Sequence, residues 1–85
     1  MNETRDIRLK RLVMRSMRRG IKEMDLILSR FAAARLEAMT CTELDRYEAL
    51  LEENDQDLYQ WVSGQVEAPA AHAELVRDIK ALIAA

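Results

Sequence analysis

The sequence predicts an all-α fold, a compact bundle of about five short helices forming a single domain over residues 1–85. Three observations carry this prediction. The chain has only two glycines and one proline, too few for the roughly seven turns of an all-β domain of this size. Apolar residues recur at spacings of three and four, the period of a helix face. Thr40-Cys41-Thr42-Glu43 has the form of a capping box, a specific helix-start signal. A content of 49% hydrophobic and 33% charged residues is that of a globular chain rather than a disordered one.

The elements follow in order. The first helix is expected from about Thr4 to Arg18, with Ile7, Leu9, Leu12, Val13 and Met17 as its apolar stripe. Gly20 interrupts it. A second helix runs to about Ala38, with Met24, Ile27, Leu28 and Phe31 at i, i+3, i+4, i+7 and Arg35 on the same face. After the capping box, a third helix presents Leu44, Tyr47, Leu50 and Leu51. It stops near Asn54, where Asp55 is placed to cap a short fourth helix carrying Leu58, Trp61 and Val62. Gly64 closes that helix, because glycine takes the left-handed conformation without penalty. Pro69 suits the first turn of a fifth helix, along which Leu75, Val76, Ile79, Leu82 and Ile83 repeat at i, i+1, i+4, i+7, i+8. The methionines and the aromatic residues Tyr47, Tyr59 and Trp61 are expected mainly in the core, with Tyr59 partly exposed.

Several functions are disfavoured by composition. No apolar run approaches the length of a membrane span. One cysteine, Cys41, forms no internal disulfide, which points to a reducing compartment. One cysteine and one histidine cannot build a four-ligand zinc site. No phosphate-cradling, nucleophile-elbow or zinc-protease motif is present. A self-contained enzyme is therefore not expected. A catalytic pairing of His72 with Cys41 has nothing but composition behind it.

The net charge of −2 conceals a split. Residues 1–22 hold eight Lys and Arg against two acids, a net +6, and residues 23–85 hold five against thirteen, a net −8. Either the basic helix faces solvent and the acidic segment offsets it, or the two segments meet in the fold, which the sequence alone leaves open. A free basic face would steer an acidic protein, nucleic acid or anionic lipid. The absence of a helix-turn-helix pattern and the pI near 5.4 argue against nucleic acid.

Chemistry concentrates at Arg18-Arg19-Gly20-Ile21-Lys22-Glu23-Met24-Asp25. With Gly20 as N-cap, Glu23 falls at N3, where its carboxylate reaches back to the Gly20 amide. Asp25 adds an acid near the positive helix end, and Arg18 and Arg19 suit the negative end of the preceding helix. Capping alone accounts for every residue of the stretch. The functional alternative is a polar platform for a partner, made of a bare glycine, a fixed carboxylate and two arginines.

Arg19-Gly20-Ile21-Lys22-Glu23 resembles the RGxxE motif of the succinate dehydrogenase assembly factor 2 family, which includes the bacterial SdhE proteins. The likeness extends through Met24-Asp25-Leu26-Ile27-Leu28 to Phe31. It resumes at Tyr47, Leu50-Leu51, Asp55, Asp57-Leu58-Tyr59 and Trp61, so that it covers about residues 8–80. Val13 and Met14 stand where the family often has an aromatic, and Met24 where leucine is common.

The resemblance implies a non-enzymatic assembly factor. Such a factor binds the flavoprotein subunit of succinate dehydrogenase, and in some bacteria that of fumarate reductase, and promotes covalent attachment of FAD to a client histidine. It holds no cofactor stably itself. Arg19, Gly20 and Glu23 become the client-contacting motif, with Arg18 and Asp25 as neighbours. Selection of one client conformation is the expected mechanism, and Glu23 as a base is its rival. An antitoxin-like or other regulatory interaction module is the alternative class. A monomer is expected, in a bacterial-type chain of the cytoplasm. A removable mitochondrial leader is not expected, because cleavage at a usual distance would cut into the motif beginning at Arg19.

Overall fold

A computed structural model describes residues 3–84, and these are helical in five segments joined by short connections. They are α1 (Arg5–Ser16), α2 (Lys22–Arg35), α3 (Cys41–Leu51), α4 (Asp55–Val62) and α5 (Ala70–Ala84), with a 3-10 turn (Leu36–Ala38) continuing α2. The all-α prediction holds.

Local chemistry explains most boundaries. Thr4 starts α1 by accepting the Ile7 amide at 3.2 Å. At α3 the capping box forms in both directions: the Glu43 amide donates to Thr40 Oγ1 at 3.2 Å, and the Thr40 amide to Glu43 Oε1 at 2.9 Å. These bonds hold the Glu43 carboxyl below the usual carboxylate range. Gly64 has φ +84°. Around it, the Gly64 amide reaches the Trp61 carbonyl at 3.2 Å and the Gln65 amide the Gln60 carbonyl at 2.9 Å. This pair of bonds is a Schellman motif.

Four local expectations are corrected. The first helix stops at Ser16 rather than Arg18, because Met17 is extended and Arg18 takes φ 56°. Ile21, not Gly20, is the N-cap of α2, and it makes no side-chain capping bond. The last turn of the second helix tightens to 3-10 geometry. Asn54, not Asp55, caps α4, accepting the Gln56 amide at 2.8 Å.

Helix α2 is central and packs against α1, α4 and α5, while α3 packs on α1 and α5. The core gathers Leu12, Met24, Leu28, Phe31, Leu44, Tyr47, Leu50, Leu58 and Ile79 from all five helices. Phe31 and Tyr47 meet with centroids 5.7 Å apart. The Tyr47 hydroxyl is paired with Ser16 Oγ at 2.6 Å, and burial pushes the phenol up to about 12. Tyr59 is half-buried as expected. The stripe of α1 is narrower than predicted. Leu12 is buried and Leu9 half-buried, but Ile7, Val13 and Met17 are exposed, as is Met14. Met24 and Met39 fill the core, so that only some of the methionines behave as expected.

The two charged segments do meet. Arg8, Arg11, Arg15 and Arg19 recur along one side of α1 and its extension. They pair with Asp45 at 2.6 Å, Glu48 at 2.8 Å, Glu52 at 2.8 Å and Asp55 at 2.7 Å, respectively. Arg5 turns to the end of the 3-10 turn, donating to the Glu37 and Met39 carbonyls at 2.9 and 2.7 Å. The charge asymmetry therefore becomes an internal ladder joining α1 to α3 and α4. The basic surface that a nucleic-acid reading requires is largely taken up by it.

Candidate functional site

The site is the junction between α1 and α2, and two carboxylates hold it. Asp55, at the first position of α4, faces the junction because Asn54 has taken the capping role. Its Oδ1 accepts Arg19 Nε at 2.8 Å and pairs with Nη2 at 2.7 Å. Its Oδ2 accepts the Gly20 amide at 2.6 Å. The Arg19 guanidinium also donates to the Arg15 carbonyl at 3.0 Å and the Leu51 carbonyl at 3.2 Å. Its side chain is only 11% exposed, and that of Asp55 19%. Arg19 thus acts as a bolt between two helix junctions, a use suited to the planar five-donor guanidinium.

The second carboxylate is Asp25. Its Oδ2 accepts the Arg18 amide at 2.7 Å, and Ser29 Oγ donates to its Oδ1 at 3.3 Å. This bond secures Arg18 in a left-handed conformation that a side chain ordinarily disfavours. The chain can then reverse direction within a few residues.

The expected site residues are accordingly brought together, but in two different roles. Arg19 and Asp25 are turned inward and hold the turn. Gly20, Glu23 and the Arg18 side chain are on the exposed side. Glu23 is at the second position of α2 and does not reach the Gly20 amide, which Asp55 occupies. Among the described residues, its carboxylate has no hydrogen-bond or ion-pair partner. A Cβ on Gly20 would lie 3.1 Å from Asp55 Oδ2, closer than ordinary contact. Any side chain here would require the Asp55 carboxylate to give way by a few tenths of an ångström.

Sequence reasoning missed Asp55 as the organiser of the junction. The available signal was Asn54, an equally good cap one residue earlier, which frees the following acid. Cys41 is exposed at the start of α3. His72 is buried on α5, with Nε2 2.8 Å from Glu53 Oε2 and its ring 5.7 Å from Trp61. The two do not form a dyad. No metal-binding cluster occurs among the described residues.

Comparison with known proteins decides the family. A family model described as "Flavinator of succinate dehydrogenase" matches residues 10–83. The chain belongs to this family. Among curated relatives, the mitochondrial succinate dehydrogenase assembly factor 2 of Candida glabrata is 53% identical over 62 residues, covering 73% of this chain and 40% of that protein. Its counterpart in Lodderomyces elongisporus is 52% identical over 61 residues, covering 72% and 37%. That of Schizosaccharomyces pombe is 46% identical over 67 residues, covering 79% and 48%. The chain thus spans less than half the length of these relatives.

Their names correct one expectation. They are mitochondrial proteins, which points to the mitochondrion and away from a bacterial-type chain of the cytoplasm. The physical reason is that compartment is not written in helix patterning.

Proposed function

We propose that this member of the family acts in the assembly of succinate dehydrogenase, binding the flavoprotein subunit and promoting covalent attachment of FAD to it. One observation carries the reading on the structural side. The junction is held by Asp55 and Asp25, while the Glu23 side chain and Gly20 remain exposed to a partner. Such preorganisation lowers the ordering cost of binding. The family description and the assembly-factor relatives support the same reading.

The proposed action is selection of a client conformation. Gly20 lets a client backbone approach, and Glu23 pairs with a client cation or amide. The client is thereby held with the reactive flavin carbon beside its own histidine, a proximity effect. The nucleophile belongs to the client, since His72 is buried against Glu53 and Trp61 at a distance in sequence from the junction. Arg19 contributes indirectly, by holding the turn that presents Gly20 and Glu23. Fumarate reductase, as a related flavoprotein, is proposed as a second client.

The test is reconstitution. Purified apo-flavoprotein and FAD are incubated with wild type, with Gly20→Arg or with no added factor, and covalent flavin is read by in-gel fluorescence after denaturation. The reading expects a strong band only with wild type. Equal bands in all three samples would refute it.

A further inference from the structure

Glu52, Glu53 and Asp55, around the turn from α3 into α4, reach three different parts of the molecule. Glu52 pairs with Arg15 of α1 at 2.8 Å, and Glu53 with His72 of α5 at 2.8 Å. Asp55 holds Arg19 and the Gly20 amide at the α1–α2 junction. The backbone bonds of this turn stay local. The Glu52 amide donates to the Ala49 carbonyl at 3.2 Å, and the Glu53 amide to the Leu50 carbonyl at 3.0 Å. Among the described residues, no backbone hydrogen bond joins the turn to α1, α2 or α5. Its place in the bundle is therefore set by the burial of Leu51 and Leu58 on either side and by side-chain ties to other helices.

These ties differ in strength. Glu52 and Arg15 are both open to solvent, with side chains 66% and 33% exposed, so their pair holds little. His72 is a firmer anchor. Its side chain is only 9% exposed, its ring is 5.7 Å from that of Trp61, and its amide donates to the Pro69 carbonyl at 2.9 Å at the start of α5. An ionised carboxylate only accepts, so Nε2 carries the hydrogen in the bond to Glu53 Oε2. The imidazole is thus a fixed donor that holds Glu53 toward α5. Two residues further on, Asp55 faces the junction. A ring this shielded contributes through its neighbours rather than by direct contact with a partner.

We propose that His72 is a positioning residue for the client-contacting junction: through Glu53 it fixes the turn that carries Asp55, and Asp55 fixes the Gly20 amide and the Arg19 guanidinium. This rests on the proposed function and deepens it. The route is a contiguous one. It runs from His72 to Glu53 at 2.8 Å, along two residues of backbone, and from Asp55 to Gly20 at 2.6 Å. A small displacement of Asp55 weakens its contacts with Gly20 and Arg19 together, because one carboxylate serves both. Helix α5 thereby takes part in presenting Gly20 and Glu23.

Amide hydrogen exchange of the full chain, followed by NMR, tests this alongside titration of apo-flavoprotein. The Gly20 amide reads the junction, and the Leu28 amide, in the middle of α2, reads overall stability. His72→Leu and Glu53→Ala should each speed exchange at Gly20 about fivefold relative to Leu28, as loss of one side-chain hydrogen bond implies, and weaken flavoprotein binding by a similar factor. His72→Gln, which puts an amide donor near the place of Nε2, should restore most of both. In an Asp55→Ala background, His72→Leu should change Gly20 no further. Exchange at Gly20 that rises only in step with Leu28 would make His72 merely structural and overturn the proposal. A His72→Gln variant as defective as His72→Leu would overturn it as well. So would unchanged flavoprotein affinity in both His72→Leu and Glu53→Ala, and a Gly20→Arg variant still defective there would leave the junction reading in place. Failure of wild type itself to bind the flavoprotein would refute the proposed function, and the Gly20 and Leu28 amides would still decide whether His72 positions the junction.

Discussion

Arg19 and Asp55 form a two-point pair, with Asp55 Oδ1 2.8 Å from Nε and 2.7 Å from Nη2 of the guanidinium. Both side chains are largely shielded, and the second Asp55 oxygen holds the Gly20 amide. The pair ties the α1–α2 junction to the α3–α4 turn, so a residue distant in sequence sets the geometry of the motif. Removing one member of such a pair strands the other. Asp55→Ala is expected to cost roughly 2 kcal/mol, below the range for fully buried pairs because some solvent screening remains. Urea denaturation checks this, and a loss under about 0.5 kcal/mol would show that the pair holds nothing together.

Gly20→Ala probes the same contact from the other side. The new methyl lies 3.1 Å from Asp55 Oδ2, and no positive φ prevents the substitution. A loss of about 1 kcal/mol is expected from crowding and from the displaced carboxylate. The loss should shrink in an Asp55→Ala background, where the crowding partner is gone. A double-mutant cycle measures this coupling, and additive losses would argue against it.

Arg18→Gly should separate stability from function. Arg18 has φ 56°, where a non-glycine residue is disfavoured by roughly 1 kcal/mol, so glycine should leave the fold equal or slightly more stable. If the exposed Arg18 side chain meets the client, covalent flavin in the reconstitution falls even so. A destabilised Arg18→Gly would mean that its side chain holds the turn.

Ser16 and Tyr47 give a purely structural test. Ser16 Oγ donates to the Leu12 carbonyl at 2.8 Å and shares a 2.6 Å bond with the Tyr47 hydroxyl, deep in the core. Ser16→Ala leaves that hydroxyl without its partner, at an expected cost of about 1–3 kcal/mol. Adding Tyr47→Phe removes the stranded group and should recover much of the loss. Thermal melts of the three variants decide it.

Acid should loosen the ladder. The Arg11 guanidinium holds the carboxyls of Glu48 and Glu3 below their usual range, and the Thr40 amide does the same for Glu43. Carboxyls depressed in the folded state stabilise it fully above the unfolded value of about 4.3 and lose this as pH falls through the folded values. The melting temperature should therefore be insensitive to these groups near neutrality and decline below about pH 4.5. Glu48→Gln should flatten part of that decline while costing less than about 1 kcal/mol at pH 7. An unchanged acid slope in Glu48→Gln would remove Glu48 from the account.

The sequence by itself determined the helical class, the capping box at Thr40 and Glu43, the stop at Gly64 and the two motif blocks that resemble the family. Each of these depends on neighbours within a few residues, and one-dimensional spacing reports such chemistry well. It also put Arg18, Arg19, Gly20, Glu23 and Asp25 in one place. What only the tertiary structure decided is how that place divides. Asp55 comes from 35 residues beyond Gly20 to claim its amide and turn Arg19 inward, and Glu23 is left without a hydrogen-bond or ion-pair partner among the described residues. Arg8, Arg11 and Arg15 of the basic first segment likewise met their acids across the fold, at α3 and the turn that ends it. Both outcomes turn on which acceptor the packed helices bring within reach of a given donor, and local sequence patterns do not encode that packing.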